Sequence, residues 1–221
     1  MTTGTKAYKG LGMEGVIARW YATNTGRDRR RFESSAAIVA AQTTPGARVL
    51  EVAPGPGYLS VELARRGYVV TGLDISRTFV RIAQANANRA QVPVRFEQGD
   101  AAHMPFPDAA FDFIVCTAAF KNFTDPVGAL DEMYRVLRVG GKASIQDLRQ
   151  DATPQAIEEE IRRMNLSRVN AVLTRWTFHH LLLKRAYSRH ALEGLVARSR
   201  FGTGEVVDQG IGFELRLERR R

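Results

Sequence analysis

The sequence predicts an α/β protein: a doubly wound, Rossmann-like sheet of seven strands, mostly parallel with an antiparallel C-terminal strand, plus a helical lid. Three observations predict it. Short apolar runs near 48–52, 69–73, 94–97, 112–116 and 142–147 alternate with helical patterns near 58–66, 77–90 and 127–138. That order lays parallel strands side by side through right-handed crossovers. The first run breaks at Pro54-Gly-Pro-Gly57, a sharp strand-to-helix turn. The final segments, Gly204-Glu-Val-Val-Asp and Gly212-Phe-Glu-Leu-Arg-Leu-Glu, alternate with period two and read as a terminal hairpin.

Two short helices are expected first, over 11–21 and over 28–43, the second with Phe32, Ala36, Val39 and Ala40 on one face. Arg48 to Val52 then forms a strand with a single acid, Glu51, near its end. Beyond the turn, Tyr58-Leu-Ser-Val-Glu-Leu-Ala-Arg has helical spacing until Gly67. Gly55 and Gly57 lack side chains, so a ligand can lie against the backbone at that helix N-terminus. The second strand ends in Asp74, where a carboxylate at a strand tip can accept two hydrogen bonds from a ribose diol. The third leads into Gly99-Asp100-Ala101, and the fourth, Phe111 to Cys116, into Thr117.

Leu130, Met133, Tyr134 and Leu137 make a buried stripe on the helix before the fifth strand, and Gly140-Gly141 is expected to end that helix. Pro154 opens a charged helix from Gln155 to Asn165, and a longer one is expected from Ser167 to Arg185. That longer helix is apolar nearly all round and so must be covered on both sides; it reads as a lid over an acceptor pocket or a dimer contact. The chain is therefore read as one domain: N-terminal helices over 1–43, a cofactor-binding core over 44–149, a helical lid insertion over 150–200 and a terminal hairpin over 201–221.

At 221 residues, with 44% hydrophobic and 25% charged residues, the chain can bury one ordinary α/β core. A single cysteine, Cys116, excludes a disulfide framework and points to a reducing, cytoplasmic setting. No run is long and apolar enough to suggest a membrane span. The net charge of +9 is uneven: residues 1–43 carry seven basic and three acidic groups, residues 44–149 twelve and eleven, and residues 150–221 thirteen and nine. The excess lies outside the core, in segments that would frame an acceptor, and its arginine clusters lack the interleaved aromatics of RNA recognition. Nucleic acid is thus not the expected partner. Four histidines and one cysteine show no metal-ligand spacing, so no metal is expected.

A Rossmann dehydrogenase would want a third glycine where Ser60 stands, and would have no use for Glu51 or for the acid at 100. Collected carboxylates suit a cationic ligand instead. Glu51-Val-Ala-Pro-Gly-Pro-Gly57, Gly72-Leu-Asp74-Ile75-Ser, Gly99-Asp100-Ala101-Ala-His-Met-Pro-Phe106 and Ala129 to Gly141 together resemble the class I S-adenosylmethionine-dependent methyltransferases over roughly residues 45–150. Ala53 departs from the glycine that family usually has there. The segment Phe120-Lys121-Asn122-Phe-Thr-Asp125 is similar to the ubiquinone/menaquinone C-methyltransferase group.

The resemblance implies S-adenosylmethionine as cofactor, held by Glu51, Ala53, Gly55, Gly57, Asp74, Ile75, Asp100, Ala101 and Thr117, with Tyr21 closing over its methionine end. It implies a small-molecule acceptor, aromatic or anionic, met by Lys121 and Asn122. Angular spacing on the lid helix places His179 and His180 toward the same space, and His180 is taken with Lys121 and Asn122 as a catalytic candidate. An RNA methyltransferase and a non-catalytic cofactor-binding scaffold stand as the alternatives, and a homodimer through the lid helix is a further expectation.

Overall fold

The computed structural model describes residues 9, 13–25, 29–163, 183 and 186–221. Helices α1 (Gly15–Thr25) and α2 (Arg29–Ala40) precede the alternating core. The core runs β1 (Arg48–Val52), α3 (Tyr58–Arg65), β2 (Val69–Asp74), α4 (Arg77–Arg89), β3 (Val94–Gln98), β4 (Phe111–Thr117), α5 (Pro126–Val136) and β5 (Leu137–Leu148). Helices α6 (Pro154–Arg163) and α7 (Arg189–Arg198) follow, and β6 (Glu205–Gln209) with β7 (Gly212–Glu218) closes the chain.

The seven strands form one sheet in the order β3-β2-β1-β4-β5-β7-β6. Pairings from β3 to β5 are parallel, and β7 runs antiparallel to both β5 and β6. The expected fold class holds, including the antiparallel terminal strand. Because both faces are covered, the central strands are apolar throughout rather than alternating. Val49, Phe113 and Val115 face α2, α3 and α4, while Leu50, Val52, Ile114 and Cys116 face α5 and α7.

Local chemistry sets the helix starts. The Ser76 hydroxyl accepts from the Phe79 N–H at 3.0 Å to cap α4, and Ser188 does the same for Ala191 at α7. Asp125 caps α5 with Pro126 in its first turn.

The structure differs from the sequence reading at two places in its order of elements. Helix α5 ends at Val136 rather than at Gly140, and the strand begins at Leu137, which pairs with Phe111 before the register shifts. Gly140, at φ +75°, lies within that strand and donates to the Arg219 carbonyl at 2.8 Å. Residues 189–198, assigned to the lid, are instead core: Leu192, Leu195 and Val196 bury against α5 and the sheet. The long lid helix expected from Ser167 to Arg185, with Trp176, His179 and His180, lies outside the described residues but for Leu183, which packs with Ile157, Ile161 and Ile211.

Candidate active site

The sheet order brings the ends of β3, β2, β1 and β4 together at one carboxyl edge, where open α/β sheets bind their ligands. Glu51, Asp74 and Thr117 reach that edge on adjacent strands, and Asp100 follows just beyond β3.

Glu51 is buried, and the Ser60 hydroxyl of α3 donates to its carboxylate. Burial pushes its pKa from 4.5 to about 7, against the lowering effect of hydrogen bonds from the Ser60 side chain and backbone, with the Asp74 charge adding to the rise. Asp74 is also buried, and its two oxygens accept from the Gly55 and Ser76 N–H groups, each at 2.9 Å. Burial raises this carboxyl too, from 3.8 to about 6, though both amides oppose the rise. Among the described residues neither acid has a cationic partner. Two buried carboxylates without a counter-charge are a poor site for a polyphosphate and a good one for a cation.

The turn between β1 and α3 divides its glycines by role. A Cβ on Gly55 (φ +55°) would meet nothing within 4 Å, so its backbone borders open space beside the Asp74 carboxylate that its N–H bonds. A Cβ on Gly57 (φ +76°) would come within 2.8 Å of Ala83 and 2.9 Å of Phe96, and the Gly57 N–H is spent on the Pro54 carbonyl. Gly57, expected against the ligand, also lets the turn pack closely on α4 and β3. Ala53 takes φ 56°, the left-handed region that alanine disfavours, while its N–H donates to the Leu73 carbonyl at 2.8 Å.

Asp100 is half-buried and organises its own loop: its side chain accepts from the Ala102 N–H at 3.0 Å and its carbonyl from that of His103. His103 is exposed, with its Nδ1 3.9 Å from the Asp100 carboxylate. Ala101 is half-buried beside it, and Ile75 is 40% exposed next to Asp74, an apolar surface available to a flat ring. Tyr21 on α1 packs edge-to-face on Phe79, with ring centroids 5.9 Å apart. It is thus tied to α4 beside the ribose-binding candidate.

Beyond β4, Phe120–Asn122 forms a single 3₁₀ turn. The Lys121 ammonium contacts the Asp147 carboxylate at 2.5 Å and donates to the Ala118 carbonyl at 3.2 Å. Asp147 also accepts from the Lys121 N–H at 3.1 Å and the Leu148 N–H at 2.8 Å. Lys121, expected to meet the acceptor, is one half of a nearly buried ion pair, with one ammonium donor left over among the described residues. The Asn122 carbonyl accepts from the Lys9 N–H at 2.7 Å, and Tyr187 stacks near Phe120 with centroids 5.8 Å apart. The third catalytic candidate, His180, lies outside the described residues.

Sequence reading missed Ser60, Ser76 and Asp147 as organisers of the site. Ser60 had a signal, since it stands where a dehydrogenase glycine would be. Asp147 could not be paired with Lys121 from spacing alone, because sheet register sets their contact.

Residues 50–145 match the family described as "Methyltransferase domain". The matched segment, somewhat under half of the chain, spans β1 to the middle of β5 and is similar to that methyltransferase domain. Among curated proteins, the chain is 39% identical over 115 residues to the demethylmenaquinone methyltransferase of Deinococcus radiodurans, covering 51% of this chain and 47% of the relative. It is 38% identical over 114 residues to the ubiquinone/menaquinone biosynthesis C-methyltransferase UbiE of Xanthomonas campestris, covering 49% and 45%. The chain thus spans about half the length of the curated relatives it matches. Among solved structures, a SAM-dependent methyltransferase from Aquifex aeolicus shares the fold at TM-score 0.65 and 17% identity, over 86% of this chain and 97% of that one. The [4+2]-cyclase SpnF aligns at TM-score 0.59 and 25% identity, over 79% and 57%.

S-adenosylmethionine is the cofactor of this class of domain, and the observed groups fit it. The space beside Gly55 and two buried acids, Glu51 and Asp74, without a cationic partner among the described residues, are compatible with a ligand carrying a sulfonium and an ammonium. Among the described residues no group of His, Cys, Asp and Glu could hold a metal ion, and no helix is long and apolar enough to cross a membrane.

Proposed function

We propose that this chain transfers the methyl group of S-adenosylmethionine to an aromatic small molecule of the quinone-precursor class. One observation carries the reading: Glu51 and Asp74 are buried acids at adjacent strand ends, without a cationic partner among the described residues, beside a backbone opened by Gly55. Asp74 would take the ribose hydroxyls, Asp100 and Ala101 the adenine edge, and Glu51 the charge at the methionine end. Gly55 and Ile75 would border the ligand, with Ala53 and Thr117 at the strand ends and Tyr21 closing over it.

When bound, the cofactor supplies an already activated methyl group, so the protein's task is alignment and exclusion of water. The turn at Lys121 and Asn122 follows the strand next to β1 and so borders the transferable methyl. The remaining Lys121 donor can bind a phenolic oxygen, while Asp147 keeps the ammonium fixed and neutralised. The names of the matched relatives, both quinone methyltransferases, agree with such an acceptor.

A second reading follows from the likeness to SpnF, described as a cyclase: the domain binds the cofactor but transfers no methyl. One assay decides between them. Purified protein with methyl-labelled cofactor and a reduced, short-chain demethylquinone should yield labelled product and S-adenosylhomocysteine. Tight cofactor binding with no transfer to that acceptor, or to metabolite and RNA fractions of a cell extract, would favour the second.

A further inference from the structure

Six large apolar residues are well exposed among the described residues, and three lie within five positions of α1: Val16 at 73%, Ile17 at 44% and Trp20 at 67%. Single exposed apolar residues are ordinary on soluble proteins, but a cluster marks a contact surface. The helix has an inner face as well. Ala18 and Ala22 are buried, Tyr21 leans on Phe79, and the Tyr58 hydroxyl donates to the Ala22 carbonyl at 3.0 Å. With its inner side occupied, α1 presents the three apolar residues outward, and nothing among the described residues covers them.

The surroundings are basic. Arg19 lies on α1 itself, and Arg77 and Arg81 on the exposed turns of α4, against which α1 packs. None of the three forms an ion pair among the described residues. The nearby acid, Glu14, accepts from the Thr78 hydroxyl and from the Thr78 N–H at 3.2 Å and keeps its charge, which offsets one of the three arginines and leaves the surface net basic. The root of α1 is also fixed to the site. The Ser76 hydroxyl donates to the Met13 carbonyl at 2.6 Å, while the Ser76 N–H bonds Asp74.

We propose that α1 is a docking element for an anionic phospholipid surface, with Val16, Ile17 and Trp20 entering the interface and Arg19, Arg77 and Arg81 meeting lipid headgroups. A short helix with an apolar wedge, a tryptophan and flanking arginines has the chemistry of an interfacial element. Three side chains cover far less than the ~800 Å² per partner of a stable protein interface, which disfavours a second copy of the chain. Docked this way, the protein sets the carboxyl edge at Asp74 beside the membrane surface. The inference stands on the exposed surface alone and does not depend on the acceptor.

Co-sedimentation with vesicles of phosphatidylglycerol and phosphatidylcholine, against phosphatidylcholine alone, tests it. The protein should partition to the anionic vesicles at low salt and lose most of that binding at roughly 0.5 M salt, as the Debye length shortens. The variant Val16→Ser/Ile17→Ser/Trp20→Ser should bind roughly tenfold more weakly, as should Arg77→Glu/Arg81→Glu, with S-adenosylhomocysteine affinity unchanged in both. Trp20→Ser alone serves if the triple variant does not fold. No sedimentation of the parent protein, or equal sedimentation of every variant, overturns the proposal. So does a triple variant that changes the oligomeric state, which would make the patch a protein interface, or one that loses cofactor affinity, which would make it a cofactor lid.

Discussion

Ser60 donates its hydroxyl to Glu51 across the first strand, turn and helix, and both groups are shut away from solvent. A residue of α3 thereby holds the acid of β1 in place before any ligand arrives. Because burial lifts the Glu51 pKa from 4.5 to about 7, the folded protein binds this proton more tightly than the unfolded chain. The stability this contributes is complete below pH 4.5 and is lost as pH rises through 7, an effect of about 3 kcal/mol for a shift of this size. Asp74 acts in the same direction between 3.8 and about 6. The ligand-free protein should therefore melt at lower temperature at pH 8 than at pH 5, and Glu51→Gln should flatten that slope. Parallel melting curves for parent and Glu51→Gln would show that Glu51 does not titrate in this window.

Cofactor binding should follow the opposite trend. Deprotonating Glu51 and Asp74 creates the charge that a cationic ligand needs, so S-adenosylmethionine affinity should rise from pH 5.5 to 8. Calorimetry across that range reads the slope directly, and Glu51→Gln should reduce it. A flat profile in the parent protein would place the ligand's positive groups elsewhere.

Asp74→Ala removes an acid that carries two backbone amides as well as the expected ribose contacts. Affinity for S-adenosylhomocysteine should fall about ten- to a hundredfold, the cost of about 1.5–3 kcal/mol for a charge-assisted contact. Stability should fall too, since Gly55 and Ser76 lose their acceptor. Parental affinity in a folded Asp74→Ala protein would remove Asp74 from the site.

Ala53 sits at φ 56°, where a side chain costs roughly 1 kcal/mol or more relative to glycine. Ala53→Gly should therefore raise stability by up to about 1 kcal/mol and retain cofactor binding. Ala53→Val should lower both, because a β-branched side chain tolerates this backbone least. Thermal melting of the pair, with affinity measured alongside, separates strain from ligand overlap.

The two glycines of the turn should respond differently to alanine. Gly57→Ala forces a methyl within 3 Å of Ala83 and Phe96, so it should destabilise the fold by about 1–3 kcal/mol. Gly55→Ala meets open space but at φ +55° carries the same backbone strain as Ala53, so it should cost roughly 1 kcal/mol of stability and, beyond that, lose cofactor affinity. Urea titrations with and without S-adenosylhomocysteine distinguish the two outcomes. If Gly55→Ala binds as the parent does, the ligand does not pass over that backbone.

Much of this was legible in the sequence because it rests on local pattern. The strand from Arg48 to Val52 and the helix starting at Tyr58 are fixed by an apolar run meeting a Pro-Gly cluster. Asp74 is marked by its place at a strand end. What was not legible depends on contacts distant in sequence. Leu137 looks like the last member of a helical stripe, yet Phe111 across the sheet draws it into β5. Gly57 and Gly55 look alike in the sequence, and only the approach of Ala83 and Phe96 separates packing from ligand access. Residues 189–198 carry Leu192, Leu195 and Val196 at helical spacing, but nothing local tells that this face completes the main core instead of covering an acceptor pocket.

The Lys121–Asp147 pair gives the sharpest test of the acceptor end. The Lys121 side chain is 12% exposed and that of Asp147 1%, so removing either charge strands the other in a nearly dry site. Lys121→Met should destabilise the protein by about 3–5 kcal/mol, the usual cost of breaking a buried pair from one side. Lys121→Met/Asp147→Asn removes both charges and should recover much of that loss, because a neutral amide replaces the stranded carboxylate. Activity should not return with stability. If the leftover Lys121 donor binds the acceptor oxygen, the double variant should bind S-adenosylhomocysteine normally yet transfer methyl ~10²-fold more slowly in single turnover at saturating cofactor. Arginine at 121 keeps a donor and a charge, so Lys121→Arg should retain more activity than Lys121→Met at equal cofactor affinity. Full single-turnover activity in the double variant would make the pair a structural fastening between β5 and the turn after β4, and would move the acceptor contact to another residue.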